Sequence, residues 1–183
     1  MSGHTDGGPA SEPHLRPRRA EDLDDLVALA SRVRAADGYP AFLPDDDLAR
    51  FLTRPVPLRA WVYEHGGRIV GHVALNMETS PPVMRLACAC GVDGTAAFVA
   101  RLLVDPSARR LGYGAHLLDH ARRAAIDLGL VPLLDVVATS AAAISLYRRA
   151  GWRELGRTVF RAPGREIEEL VFIAPQQQRC LDS

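Results

Sequence analysis

The sequence predicts one α/β (α+β) domain built around a single mixed, mostly antiparallel sheet flanked by helices. Three observations point there. Segments of two-residue and of helical apolar periodicity follow one another along the chain. Two β-rich runs, 58–65 and 68–78, flank a Gly66-Gly67 turn, the pattern of an antiparallel hairpin. "LVPLLDVVA" (130–138) is almost continuously apolar, as expected of a strand covered on both faces. With 183 residues, 48% of them apolar and 24% charged, the chain suffices for one substantial core.

The elements follow in order. "HLRPR" (14–18) reads as a first strand. Residues 19–36 place Leu23, Leu26, Val27, Ala30 and Val33 at helical spacing, with acids at the start where the helix dipole favours them. "DGYPAFLP" breaks that helix, and "DDDLARFLTR" makes a second behind Pro44, its Asp45–Asp47 run read as an acidic cap and not as metal ligands. In "VGHVALNME" His72, Ala74, Asn76 and Glu78 share one face; Val73, Leu75 and Met77 share the other. Val83–Cys90 forms a short inserted helix behind "SPP". Residues 95–106 are a strand stopped by Asp-Pro. Helix 112–128 buries Leu117, Leu118, Ala121, Ala124, Ala125 and Leu128 and is capped by Gly129. Helix 140–151 and a closing strand pair, 152–161 and 166–174, complete the domain, taken as 14–174. Polar tails, 1–13 and 175–183, flank it.

Composition limits function. Twenty-two acidic and 22 basic residues cancel, so no general attraction to nucleic acid or to an anionic membrane is expected. No apolar run is long enough to span a bilayer. Three cysteines, an odd number, argue against a disulfide framework and for a reducing, cytoplasmic setting. Cys88 and Cys90 form Cys-x-Cys with no second ligand pair, which reads as buried, inert thiols and no metal site.

The chemistry concentrates in "RRLGYGAHLL" (109–118), where two glycines open a helix directly behind two arginines. Neither the P-loop pattern nor the dinucleotide fingerprint fits, since Leu117 stands where a third glycine is required. What remains is a helix N-terminus whose backbone N–H groups face an anion, with arginines able to add charge-assisted hydrogen bonds to a pyrophosphate.

"LLVDPSARRLGYGAHLLDHA" resembles the signature of the GNAT superfamily of acyl-CoA-dependent N-acetyltransferases, [QR]-x-x-G-x-[GA], with Arg109, Gly112 and Gly114 in the motif positions and Ala115 following. Downstream, Ala143, Leu146, Tyr147 and Gly151 match a second family pattern, with Trp152 for Phe and Ser140 for Asn. The resemblance spans about residues 14–173. It implies a slot between splayed fourth and fifth strands, 97–104 and 131–138, holding acetyl-CoA as cosubstrate. Its pyrophosphate would meet Arg109, Arg110, Leu111, Gly112, Tyr113, Gly114 and Ala115; its pantetheine would pair with Leu102, Leu103 and Val104. Ser140 and Ala143 would also line the cofactor, though the hydroxyl of Ser140 is shorter than the family amide. Tyr147 would be the general acid toward the CoA sulfur, and the acceptor a primary amine of a small molecule, amino acid or peptide. The family's strand glutamate is replaced by Phe98. Glu78 is therefore the candidate base by location, with His72, Asp93 and a water chain as alternatives. Arg101, a charge in an apolar strand, reads as a salt-bridge residue or a reader of a substrate carboxylate. Homodimers are common in the family, and nothing here demands one. The rival reading is a non-catalytic acyl-CoA-binding or regulatory domain.

Overall fold

The computed structural model describes residues 12–41, 43, 47–162 and 164–175. The predicted tails, and Asp45 and Asp46 of the acidic run, fall largely or wholly outside those residues. Among the described residues, strands β1 (His14–Pro17), β2 (Arg59–His65), β3 (Arg68–Asn76), β4 (Ala96–Val104), β5 (Val131–Val137), β6 (Arg153–Ala162) and β7 (Arg165–Ile173) form one sheet in the order β1-β2-β3-β4-β5-β7-β6. Every neighbouring pair is antiparallel except β4 and β5. This is the mixed α/β sheet the sequence predicts.

Helix α1 (Leu23–Asp37) buries Leu26, Leu29, Ala30 and Val33 at helical spacing and ends at Gly38, whose φ of 69° suits the left-handed cap. Helix α2 (Leu48–Thr53) is capped by Asp47, which accepts the Arg50 N–H at 2.9 Å. Both cover one face of β2–β4 through Val62, Ile69 and Leu103. Helix α3 (Pro81–Ala89) covers the same face nearer β5–β7, where Val83 and Ala87 pack on Phe98, Leu133 and Val171. The opposite face carries α4 (Tyr113–Asp127) and α5 (Ala141–Arg149), which close the main core with Trp61, Val73, Leu75, Leu134 and Phe172.

Three local readings need correction. Cys88 and Cys90 are exposed: Val83 and Ala87 turn their own stripe of α3 inward and leave Cys88 outside it, and Cys90 is the C-cap beyond the end of the helix. Leu128 is 40% exposed, since it caps α4 beyond the last buried turn. Strand β3 stops at Asn76, so Met77 and Glu78 lie past the alternation and are exposed.

The decisive feature is a parting of the sheet. Strands β4 and β5 pair only from Ala96–Phe98 to Val131–Leu133. Just beyond, β4 carries a bulge: its register against β3 shifts between His72 and Ala74, and Arg101 takes a φ of 53°. A bulge adds a residue to one strand and bends it away from its neighbour. Left-handed backbone costs a non-glycine residue about 1–2 kcal/mol, so it persists only where neighbours hold it. Here they do. His72 Nδ1 donates to the Arg101 carbonyl at 2.9 Å, and the Arg101 guanidinium donates to the Arg54 carbonyl at 2.6 Å.

Candidate active site

One end of the parted sheet meets the N-terminus of a helix. The first N–H groups of any α-helix lack intrahelical acceptors. At α4 the cap is Gly112, with φ 85°, and no side chain bonds the exposed N–H groups. Gly114 brings the pieces together. A Cβ there would lie 3.4 Å from Val104 Cγ2 and 3.5 Å from Leu146 Cδ2, so the start of α4 sits against both the end of β4 and helix α5. Because the Asp105 N–H bonds back to Val70 on β3, strand alternation turns the peptide groups of Val104 and Leu102 toward the gap.

Side chains from both faces reach through the gap. Asp135 projects from β5 on the α3 side, where Thr79 Oγ1 donates to its Oδ1 at 3.3 Å. Burial pushes its carboxyl well above the usual range. Tyr147 comes from α5 on the other side, its ring on Phe172 and Trp152. It is 8% exposed, and its hydroxyl makes no hydrogen bond among the described residues yet is not one of the orphaned buried oxygens, so it opens to the gap. Burial, then the nearby Tyr39 and Asp135 charges, raise its phenol above the ordinary value. Tyr39, from the segment after α1, is raised by burial first and by Asp135 second. Two phenols and a carboxylate thus converge where the sheet is open. A surface hollow of about 770 Å³, lined from residues 17–20 and 53–61, shares none of these residues.

The sequence profile of the Acetyltransferase (GNAT) family matches residues 24–152, well over half of the chain. The chain belongs to the GNAT acetyltransferase family. Its fold is similar to the ribosomal-protein-S18-alanine N-acetyltransferase of Escherichia coli, with a TM-score of 0.60 at 20% identity over 91% of this chain and 97% of that one. It is also similar to NAA60 of Arabidopsis thaliana in complex with acetyl-CoA, with a TM-score of 0.65 at 18% identity over 88% and 97% of the two chains. A third similar structure is yncA of Salmonella typhimurium with its cofactor acetyl-CoA, at a TM-score of 0.64 and 17% identity over 94% and 99%.

Within this GNAT framework the residues singled out from sequence separate into two groups. Gly112, Gly114, Ala115, Leu102, Val104, Ala143 and Tyr147 gather around the gap and the α4 terminus, and Ser140 caps α5 with no bond from its hydroxyl to the helix backbone. Leu103, Tyr113 and Arg109 have side chains engaged with other parts of the fold, whereas Arg110 and Leu111 stand exposed. Leu103 is buried against α1 and α2. Tyr113 stacks on Tyr63, ring centroids 4.3 Å apart, and bonds His65 at 2.9 Å. Arg109 is engaged by Asp37 at the end of α1, at 2.9 Å, while Arg110 and Leu111 are exposed. Arg101 forms no ion pair among the described residues; it clamps backbone carbonyls of residues 54 and 55. Glu78 is exposed, two residues beyond β3, and His72 is fully buried in the bulge.

Asp135, Tyr39 and Thr79 were not foreseen. Asp135 carried a signal, the single acid in "LVPLLDVVA". It also lies on the face that Phe98 occupies one strand away: Phe98 pairs with Leu133, two residues before it.

Proposed function

We propose that the protein transfers an acetyl group from acetyl-CoA to a primary amine by direct attack of the amine on the thioester. The carrying observation is the convergence of Asp135 and the Tyr147 hydroxyl from opposite faces at the parting of β4 and β5. The uncapped N–H groups of residues 112–115 suit a pyrophosphate, and the peptide groups of Leu102 and Val104 suit the amides of the pantetheine arm. Acetyl-CoA supplies the activated acyl group; the chain's own residues hold it, align the amine and move protons.

Asp135 takes the base role in this reading. A free alkylamine has a pKa of about 10.4, so at pH 7 its nucleophilic form costs about 3.4 units, or roughly 4.6 kcal/mol. A carboxylate whose proton affinity is raised by burial is better matched to that proton than an exposed one such as Glu78. Tyr147 stays protonated and donates a hydrogen bond to the departing sulfur, whose negative charge is least stable in the same dry surroundings. Val104 N–H, facing the gap, is placed to stabilise charge developing on the thioester oxygen.

The test is acetyl-CoA with a panel of primary amines, following free thiol and acetylated amine by mass spectrometry. Amine-dependent formation of both products is expected. Tight acetyl-CoA binding with neither product would refute it and favour a non-catalytic acyl-CoA-binding domain.

A further inference from the structure

The surface hollow lined from residues 17–20 and 53–61 takes no part in the proposed acetyl transfer, and its charge is unlike that of the chain as a whole. Four arginines line it, Arg18, Arg19, Arg54 and Arg59, and no acid does. The protein balances 22 basic residues with 22 acidic ones, so cations gathered without an acid are a local accumulation. None of the four guanidiniums forms an ion pair among the described residues. The acids that flank the two segments do not supply one. Arg16 holds Asp22 at 2.8 Å and Glu64 at 2.9 Å, Asp47 caps α2, and Glu21 is exposed and does not line the hollow.

Arg18 is the most enclosed of the four. Its guanidinium donates to the Leu52 carbonyl at 2.8 Å, and burial, opposed by the Asp22 charge, holds its pKa below the ordinary value. A desolvated cation without a counter-ion is costly, and an incoming anion relieves it.

Apolar surface lies among these charges. Val56 is 70% exposed, more than any other large apolar side chain among the described residues, and Leu58 is 45% exposed. Both line the hollow. Exposed apolar side chains rimmed by polar ones mark interaction surfaces. The lining is also held in place before anything binds. The Arg18 N–H bonds the Ala60 carbonyl at 2.9 Å, which joins the two segments, and the Arg101 guanidinium holds the Arg54 carbonyl at 2.6 Å. A surface ordered in advance loses less entropy on association.

We propose that this hollow docks an acidic peptide segment of a partner protein. Carboxylates on either side of an apolar residue meet the arginines, while that residue packs on Val56 and Leu58. Arginine suits carboxylates because its planar fork bonds both oxygens. Cations from two chain segments call for more than one acid, which a small monoanion lacks. A bilayer is flat and would leave a hollow of about 770 Å³ unfilled. A phosphate backbone offers nothing aliphatic to Val56 and Leu58.

The test uses the full chain and the probe acetyl-Ser-Glu-Asp-Leu-Phe-Asp-Glu-Ser with fluorescein on its C-terminus, followed by fluorescence anisotropy at low salt. Its acetylated N-terminus keeps it from serving as an acceptor, so the result is independent of the acetyl-transfer reading. Arg54→Glu/Arg59→Glu should weaken binding by about tenfold or more, and Val56→Ser/Leu58→Ser by about threefold or more. All four side chains are exposed, so both proteins should keep the wild-type thermal midpoint. Arg85→Glu, at an exposed arginine of α3, should bind as wild type does. A probe with its acids replaced by lysines should bind Arg54→Glu/Arg59→Glu more tightly than wild type. No binding by wild type, or an equal loss in Arg85→Glu, would overturn the assignment. Undiminished binding by Val56→Ser/Leu58→Ser would refute the apolar contact. Phosphatidylcholine vesicles with about a quarter phosphatidylserine, and oligothymidylate, are run in parallel. Binding of either without binding of the peptide would refute the acidic-peptide partner in favour of a membrane or a nucleic acid.

Discussion

Replacing Asp135 by Asn separates the fold from the chemistry. The amide keeps an oxygen to accept from Thr79 and occupies the same volume, so the wall of the gap is retained. Because burial raises the Asp135 carboxyl, holding it ionised works against folding, and this penalty is present above the unfolded pKa. Removing the charge should leave Tm at pH 7 unchanged or higher. Turnover should behave otherwise. Without the base the protein must capture the rare neutral amine, and losing a positioned base costs about 10²–10⁴ in rate. We expect kcat/KM at pH 7 to fall by about 10²–10³, within the limit of about 3.4 units set by the amine. The loss should shrink about tenfold per pH unit as the amine deprotonates in solution. Acetylated product followed by mass spectrometry is the appropriate assay, since exposed Cys88 and Cys90 would consume a thiol reagent. If the Asp135→Asn protein stays within about threefold of wild type at pH 7, or shows a parallel pH profile, Asp135 is removed from the mechanism.

Other outcomes follow from the same geometry. Tyr147→Phe should lower kcat at least about tenfold while CoA affinity, measured by calorimetry, changes little; equal turnover would remove the acid role. Gly112→Val places a β-branched residue at φ 85°. It should cost about 1–2 kcal/mol in denaturant unfolding and weaken CoA binding by disturbing the α4 terminus. His72 is held neutral by burial, with its pKa lowered from 6.5 to about 4. The unfolded chain binds more protons in that window, so stability present above pH 6.5 is lost as pH falls toward 4, by roughly 3 kcal/mol. His72→Asn, which can still donate to the Arg101 carbonyl, should flatten that slope in unfolding experiments across the same window.

Much of this protein is legible in one dimension because its rules are local. Apolar periodicity places α1, α4 and the paired strands, Gly66-Gly67 turns the β2–β3 hairpin, and the spacing of Arg109, Gly112, Gly114 and Tyr147 carries the likeness to the GNAT family. Side-chain alliances across the sheet are not local. Arg109 meets Asp37, 72 positions away, at the end of α1, and Arg101 looks like an ion-pair partner until the chain just past α2 presents the Arg54 and Pro55 carbonyls to it. The base proposed above follows the same logic. Glu78 is conspicuous near a strand end, but β3 terminates before it, whereas Asp135 gains its shifted proton affinity only from the walls that bury it. Desolvation and electrostatic coupling depend on distance in space, and the parting of β4 from β5, which brings Tyr147 and Asp135 together from opposite faces, exists only once the sheet has formed.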